Sequence, residues 1–477
     1  MILNQITTTQ DIWTGMNEYI HSSQVEHLAL GLLGLCETEG RREFFLFHTH
    51  LPETHEYRAQ GPGMVTLKAE SVAEILKRSK GCNGVIDIHN HLGDSHHIGF
   101  SDTDYRGIEK EARNVFDFKP DNYLIRMVKN MSCMKAEVTY QGIYPRWEPI
   151  DCIKVVCDKG FAFHYPCNTR IQPSGEALDQ EQHRRTLEFY PRAALEQISW
   201  LHFGVIGAGG TGSAFLNLLK FFARKVTIVE GDHVERYNSG RLFHYVSGDE
   251  GKTKTAIHAR ELQRFSPDIE VKVVDSMFPS DESIEALKPC DFVILAPDNN
   301  FARYKAAEFA SRYMKPLLDL GSGVRMMDGR ITSIGCHMRF QLPTENGRCL
   351  VCNGLDVKNL TPPEFEDYKR AIGYVEDENS DETPASVVTI NSMAATTGMR
   401  ILLDYFGDYT GKPLPNHLLY DELNMKLVNL SDSFRRDPEC VICGRGEDSI
   451  FGRGDHLPER LRVPQPRGTL MEANSVC

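Results

Sequence analysis

The run Phe203-Gly204-Val205-Ile206-Gly207-Ala208-Gly209-Gly210-Thr211-Gly212-Ser213 sets a glycine-rich turn between a short apolar strand and a helical pattern, Ser213–Arg224. Glycines at 207, 209 and 212, with Gly210 beside them, allow a tight turn, close approach of phosphate oxygens to backbone N–H groups, and close packing of helix on strand. A second apolar run, Lys225–Val229, ends in Glu230-Gly231-Asp232, where a carboxylate can hold a ribose hydroxyl. Taken alone, this pattern accommodates NAD as well as ATP.

The residues downstream favour ATP. Apolar runs at Phe203–Ile206, Lys225–Val229, Glu270–Val274, Phe292–Leu295 and Pro316–Leu320 alternate with helical patterns, which predicts right-handed crossovers and a doubly wound, mostly parallel α/β sheet. Asn238, Arg241 and Lys254 follow the second strand, and Asp298-Asn299 closes the strand Phe292–Leu295. Hydride transfer has little use for two extra cations. A triphosphate concentrates charge and calls for Arg, Lys and a carboxylate-held Mg²⁺.

On these motifs (Gly207–Gly212, Glu230-x-Asp232, Asn238-x-x-Arg241, Gly251-Lys252-Thr253-Lys254 and Asp298-Asn299) residues 180–450 resemble the ThiF/MoeB/HesA family, the adenylation domains of ubiquitin-activating enzymes. The resemblance implies a Rossmann-like fold in which Asp298 holds Mg²⁺, Arg241 and Lys254 contact the β- and γ-phosphates, Asn238 orients the triphosphate and Glu230 binds ribose. The family usually has Asp at the Glu230 position. It also carries an Arg before the first strand that enters a partner subunit's ATP site; Arg184 and Arg185 lie in that region, with Arg185 the assigned residue, and a homodimer follows if it acts in trans.

Cys349-x-x-Cys352 and Cys440-x-x-Cys443 are two knuckles whose four thiolates make a closed structural Zn²⁺ site. Related enzymes that pass cargo on as a thioester place a Cys in the loop beyond the first knuckle. Residues 355–385 contain none, and Thr383-Pro384-Ala385-Ser386 stands there instead. Cys477, the last residue, is a second thiol to consider, and direct transfer from the adenylate to a partner's cysteine stays open.

Upstream, residues 24–50 read as a buried helix (Leu28, Leu30, Leu32, Leu33) followed by a strand, Glu43–His48. A helix at Ala69–Ser79 and strands at Gly84–His89, Leu124–Val128, Ala136–Tyr140 and Ile153–Val156 complete an α+β unit. His89 and His91, two apart on an extended segment, face one side, and a carboxylate from the helix start that follows, within Phe100-Ser101-Asp102-Thr103-Asp104, would complete three metal ligands. The order is similar to that of the JAB/MPN (JAMM) metalloproteases: His-x-His, a spacer, then Ser-x-x-Asp. That likeness implies a zinc site of His89, His91 and Asp104, Glu26 as general base and Ser101 at the oxyanion. Leu92 replaces the usual Pro, and the spacer is somewhat long.

The expected organisation is a JAB/MPN-like unit at 1–168, a linker and N-terminal arm at 169–198, an adenylation domain at 199–455 and a tail at 456–477. The net charge of -13 argues against a general nucleic-acid binder. The start of the chain lacks a signal-peptide layout and no run is long enough for a membrane span, which predicts a cytoplasmic protein. The expected activity is ATP-dependent adenylation of a ubiquitin-like protein in a bacterial conjugation pathway, with a conjugating enzyme as further partner and a JAB-type peptidase acting on the same protein. Sulfur-carrier activation and a non-catalytic scaffold are the alternatives.

Overall fold

The chain opens with strand β1 (Leu3–Thr9), helix α1 (Gln10–Ile20) and the antiparallel pair β2 (Leu28–Thr38) and β3 (Arg41–His50). A small hairpin, β4 (Tyr57–Gly61) and β5 (Met64–Leu67), leads to α2 (Ala69–Arg78), β6 (Gly84–Asn90) and α3 (Asp102–Phe118). Then come β7 (Tyr123–Lys129), β8 (Met134–Tyr140), β9 (Glu148–Pro149), β10 (Cys152–Val156) and β11 (Phe161–His164). Apart from the hairpin, these strands form one sheet in the order β11-β10-β1-β3-β2-β6-β7-β8-β9. This is a computed structural model that describes residues 2–96, 98–171, 181–327, 330–357 and 386–457. Residues 172–180 of the expected linker, residues 358–385 of the loop beyond the first knuckle, with Thr383-Pro384-Ala385, and residues 458–477 of the tail, with Cys477, lie outside the described residues.

The segment Leu28–Leu33, expected as a helix, is the central strand β2. Both of its faces are covered: Leu30 and Leu32 enter one core, Leu33 and Leu35 another. A strand buried on both sides loses the polar alternation that identifies a strand, so its apolar run mimics a buried helix. Glu26 therefore sits in the extended approach to β2 rather than before a helix.

After α4 (Arg192–Trp200), the second sheet is built from β12 (His202–Ile206), α5 (Gly210–Leu219), β13 (Lys225–Val229), α6 (Lys254–Phe265), β14 (Glu270–Val274), α7 (Asp281–Leu287) and β15 (Phe292–Leu295). It continues through α8 (Asn300–Arg312), β16 (Leu317–Met327), β17 (Arg330–Gln341), α9 (Val388–Gly407), β18 (His417–Asp421) and β19 (Lys426–Asn429). The strand order is β14-β13-β12-β15-β16-β17-β18-β19, and only the first five strands run parallel. The expected mostly parallel sheet is thus a mixed one. β16 runs on to Met327 and returns directly as β17, and an antiparallel return needs no crossover helix. No helix among the described residues is long and apolar enough to cross a membrane.

The chain steps from β12 outward to β14, then restarts at β15 on the other side of β12. That reversal leaves a crevice at the carboxyl ends of β12 and β15, where open α/β sheets take their ligands. At the opposite ends of these strands the two sheets meet. Lys154 Nζ of β10 lies 3.3 Å from Glu43 Oε1 of β3 and 3.1 Å from Asp291 Oδ1, just before β15, and Arg41 adds a 3.1 Å contact to Glu43. The Lys154 and Glu43 side chains are 4% and 2% exposed.

A C-terminal strap crosses the same junction. The Asp455 N–H donates to the Leu35 carbonyl at 2.7 Å, and its carboxylate accepts from Tyr313 Oη at 2.8 Å and pairs with Lys288 Nζ at 2.8 Å. A Cβ on Gly34 would lie 2.0 Å from the Gly452 carbonyl oxygen, so the strap lies flat on β2 only because that position is glycine.

Removing the cation takes an ion-pair partner from the part-buried Asp291 and leaves the buried Glu43 with Arg41 as its ion-pair partner. Lys154→Ala is expected to cost about 3–5 kcal/mol, the usual loss when one partner of a buried ion pair is deleted. Urea unfolding of both proteins checks this, and a difference below about 1 kcal/mol would mean that water reaches the cluster.

Candidate nucleotide site and metal centres

Gly207 ends β12 with φ +84, a left-handed conformation that suits glycine, and a Cβ there would meet the Ala296 carbonyl carbon at 2.7 Å. At Gly212 a Cβ would lie 2.0 Å from the Gly207 carbonyl oxygen, so helix and strand touch through bare backbone. Gly209 has open space where a Cβ would be, the side left for a ligand. The glycine turn opens α5, whose first backbone N–H groups and dipole favour an anion.

Glu230, at the end of β13, is tied to the turn. Its carboxylate accepts from the Ala208 N–H at 2.9 Å and from the Asp232 N–H at 3.1 Å. Burial pushes this carboxyl above its ordinary value and Asp232 adds to the shift, against the pull of Lys254. Lys254 begins α6, and its Nζ lies 2.8 Å from Asp232 Oδ2. Burial disfavours the ammonium, but Glu230 and Asp232 outweigh that and raise its pKa, so a buried, fully charged lysine faces the crevice end of β13.

Asn238 is buried, and its Oδ1 accepts from the Glu235 N–H at 2.9 Å, closing a short turn. The Arg241 guanidinium lies over the Tyr237 ring, 5.5 Å from its centroid. Asp298 is exposed just beyond the carboxyl end of β15, after the Ala296-Pro297 pair that lies against Gly207, and accepts from Asn299 Nδ2 at 3.2 Å. Asn299 itself caps α8, accepting from the Ala302 N–H at 2.8 Å, which gives it a structural task beside any ligand role. Arg185 is exposed near the carboxyl end of α5, where His183 stacks on Phe222 at 6.2 Å. The glycine turn is at the opposite end of that helix.

Two features of this region escaped the sequence. Asn391 of α9 accepts from Ser322 Oγ at 2.8 Å and Thr211 Oγ1 at 3.2 Å, and donates to Ser386 Oγ at 3.1 Å. It joins α5, β16 and the start of α9, elements far apart in the chain. His244 and His258 form a buried pair against the glycine turn. Neither carries a spacing motif that sequence reading could have used.

The four cysteines converge. Cys349 Sγ lies 3.7 Å from Cys440 Sγ, and Cys352 Sγ lies 3.7 Å from Cys443 Sγ. A tetrahedral Zn²⁺ with Zn–S bonds of about 2.3 Å has an S–S edge of about 3.8 Å, which these two distances match, and all four sulfurs lie within 4.8 Å of one another, so the donor set suits zinc. The Cys352 N–H points at Cys349 Sγ at 3.5 Å, the kind of outer bond that steadies a thiolate.

In the first sheet, His89 and His91 at the end of β6 have ring centroids 5.2 Å apart. Asp104, in the first turn of α3, reaches His89 Nε2 at 3.4 Å and His91 Nε2 at 3.3 Å. These three residues can each offer one ligand atom to a single ion. Ser101 is the N-cap of α3: its Oγ accepts from the Asp104 N–H at 3.2 Å, and its own N–H donates to Asp104 Oδ2 at 2.6 Å. Glu26 is buried beside the three. Burial lifts its carboxyl above the ordinary value, while His91 and His89 pull it down and the Gly63 N–H donates to it. Sequence reading missed two further carboxyls here: Asp87 Oδ1 lies 3.3 Å from His89 Nδ1, and burial together with Asp87 pushes Glu111 well above the carboxylate range. Such an outer carboxylate orients a metal-binding imidazole.

Loss of one knuckle thiol should release the metal. Cys443→Ser is expected to lower bound zinc by one equivalent per chain, as read by atomic emission on gel-filtered protein. An unchanged metal content would remove zinc from the four-cysteine site.

Comparison with known proteins covers the second sheet. The family model described as ThiF family matches residues 181–442. The sulfur carrier protein adenylyltransferase of Thermus thermophilus is 28% identical over 271 residues, which is 56% of this chain and 92% of that protein. The SAMP-activating enzyme E1 of Haloferax volcanii is 27% identical over 250 residues, 52% of this chain and 82% of that protein. Among solved structures, E. coli MccB with MccA-N7isoASN is 18% identical with a TM-score of 0.44, covering 57% of this chain and 77% of that one. The family match spans more than half of the 477 residues and takes in the glycine turn, Lys254, Asp298 and three of the four knuckle cysteines, so the chain belongs to the ThiF family.

Proposed function

We propose that the chain is an ATP-dependent adenylyltransferase that activates the C-terminal carboxylate of a ubiquitin-like or sulfur-carrier protein. The observation that carries this reading is the gathering of the glycine turn, Glu230, the charged Lys254 and Asp298 at the carboxyl ends of β12, β13 and β15. The relatives named as activating enzymes for such carriers favour the same substrate class. A carboxylate oxygen of the carrier attacks the α-phosphorus of ATP, a P–O bond forms, and pyrophosphate leaves, giving an acyl-adenylate. In this reading the amides at the start of α5 bind phosphate, Glu230 binds ribose, and Lys254, Arg241 and Asn238 hold and orient the β- and γ-phosphates. Asp298 would hold Mg²⁺, which offsets charge on the triphosphate, with Asn299 beside it. Arg185 serves a second copy's site in a homodimer.

The first sheet supports a second reading. Glu26 buried beside His89, His91 and Asp104 is the arrangement of a JAB/MPN-like zinc peptidase occupying residues 1–168. In that role zinc would polarise a peptide carbonyl, Glu26 would move a proton from water to the leaving amine, and Ser101 would donate to the oxyanion. Joined to a carrier-activating half at 199–455, such a unit trims or releases the same carrier in a bacterial conjugation pathway with a conjugating enzyme.

Pyrophosphate exchange into ATP, dependent on an added glycine-ended carrier, tests the first reading. Lys254→Ala and Asp298→Ala should each lower exchange at least about a hundredfold, the scale of losing one charged contact to a transferring phosphate. Exchange that survives both substitutions would sink the assignment. For the second reading, His89→Ala should remove a zinc that the four-cysteine variant retains; equal zinc in His89→Ala and the parent would rule out that centre.

A further inference from the structure

Ala208, in the middle of the glycine turn, is held through both of its backbone polar groups. Its N–H goes to Glu230, and its carbonyl oxygen accepts from His258 Nε2 at 2.8 Å. His258, on α6, is 0% exposed, and its Nδ1 lies 2.9 Å from Nδ1 of His244, which is 5% exposed. Two ring nitrogens share a hydrogen bond only if one is protonated and the other is not. A carbonyl oxygen can only accept, so His258 carries its proton on Nε2 and offers a bare Nδ1. His244 must then donate from its own Nδ1.

Both rings are neutral in ordinary buffers. Burial pushes His258 down to about 3, with His244, Lys254 and Arg260 adding to the shift and the Ala208 carbonyl opposing it. Burial pushes His244 down to about 4, with Lys220 and Arg260 adding. The relay therefore has one proton arrangement, running from His244 through His258 to the Ala208 carbonyl.

His244 is three residues beyond Arg241, and the intervening segment is fastened to α5 as well, because the Phe243 N–H donates to Ser213 Oγ at 3.2 Å. The pair thus spans from the Arg241 segment to the glycine turn. It leaves His244 Nε2 buried without a hydrogen bond among the described residues, a cost that two apolar side chains of similar size would avoid. We propose that His244 and His258 are positioning residues that set the glycine turn and the Arg241 segment at the spacing a nucleotide triphosphate requires.

This inference rests on the ATP reading, and its test needs no carrier protein. Binding of a non-hydrolysable ATP analogue with Mg²⁺ is measured by calorimetry on the full chain, alongside melting temperature. His258→Leu removes the donor and is expected to weaken binding about tenfold, the scale of one hydrogen bond to the turn. His258→Gln keeps a donor near the Nε2 position and should stay within about threefold of the parent. His244→Phe, which frees the His258 tautomer, should fall between them.

Leu and Gln variants that bind equally weakly at equal melting temperature would overturn the relay, as would a folded Leu variant that binds like the parent. If the Leu variant does not fold, the other two decide: Gln near the parent with Phe weakened supports the relay, and the reverse order overturns it. A parent protein that binds no analogue overturns the ATP reading itself, an outcome seen before any substitution is made.

Discussion

The ammonium of Lys154 between Glu43 and Asp291 is the constraint on which the arrangement of the chain turns. Charges from β3 and β10 are withdrawn from water at one point, with the part-buried Asp291 just before β15 and Arg41 beside them. Isolated, each would cost several kcal/mol to bury, on the order of the stability of a whole domain; together their attraction offsets much of that cost only at contact distance. Such a cluster tolerates little sliding or tilting of one sheet against the other. It works with apolar packing that crosses the same boundary: Phe45 and Phe47 of β3 share a core with Phe309, Tyr313 and Leu317. On the other flank Phe161 of β11 packs with Phe292 and Tyr405.

The junction lies at the amino ends of β12 and β15, which leaves the carboxyl ends clear for the crevice. The strap from Ser449 to Asp455 extends the junction to the metal knuckles. Ile450 packs with Cys349, Ile442 and Cys443, and four residues later Gly454 lies against Leu35 of β2. A metal at the four thiols would therefore fix one end of a clamp whose other end rests on the first sheet. Arg453 reinforces it, lying 4.4 Å over the Phe47 ring and donating to the Gly81 carbonyl at 3.3 Å.

The parallel half of the second sheet was plain from the chain, because each of its strands is a short apolar run followed by helix signals. Lys225–Val229, Glu270–Val274 and Phe292–Leu295 fall where their composition put them. β2 was misread for the reason that makes it central: covered on both faces, it carries no polar alternation. The antiparallel extension was missed because Pro316–Leu320 showed only the first half of β16, and the rest, through Gly321, Ser322 and Gly323, has no apolar pattern. Among the site residues, those in compact motifs were visible. Glu26 was singled out through a family likeness, and the element assigned to it was wrong. Asp87, Glu111, Asn391, His244 and His258 were invisible, since each matters only through a neighbour distant in the chain.

The sequence by itself determined the groups on offer: a glycine-rich turn, cations and carboxylates beyond it, paired cysteine knuckles and a His-x-His strand. Those are local patterns, set by the few residues that must lie side by side along the backbone. Only the tertiary structure decided which groups meet and in what charge state. Lys254 stays charged because Glu230 and Asp232 stand beside it, and His244 and His258 stay neutral because burial outweighs any partner they have. Desolvation and contact distance set these outcomes, and both depend on elements that the folded chain brings together from far apart.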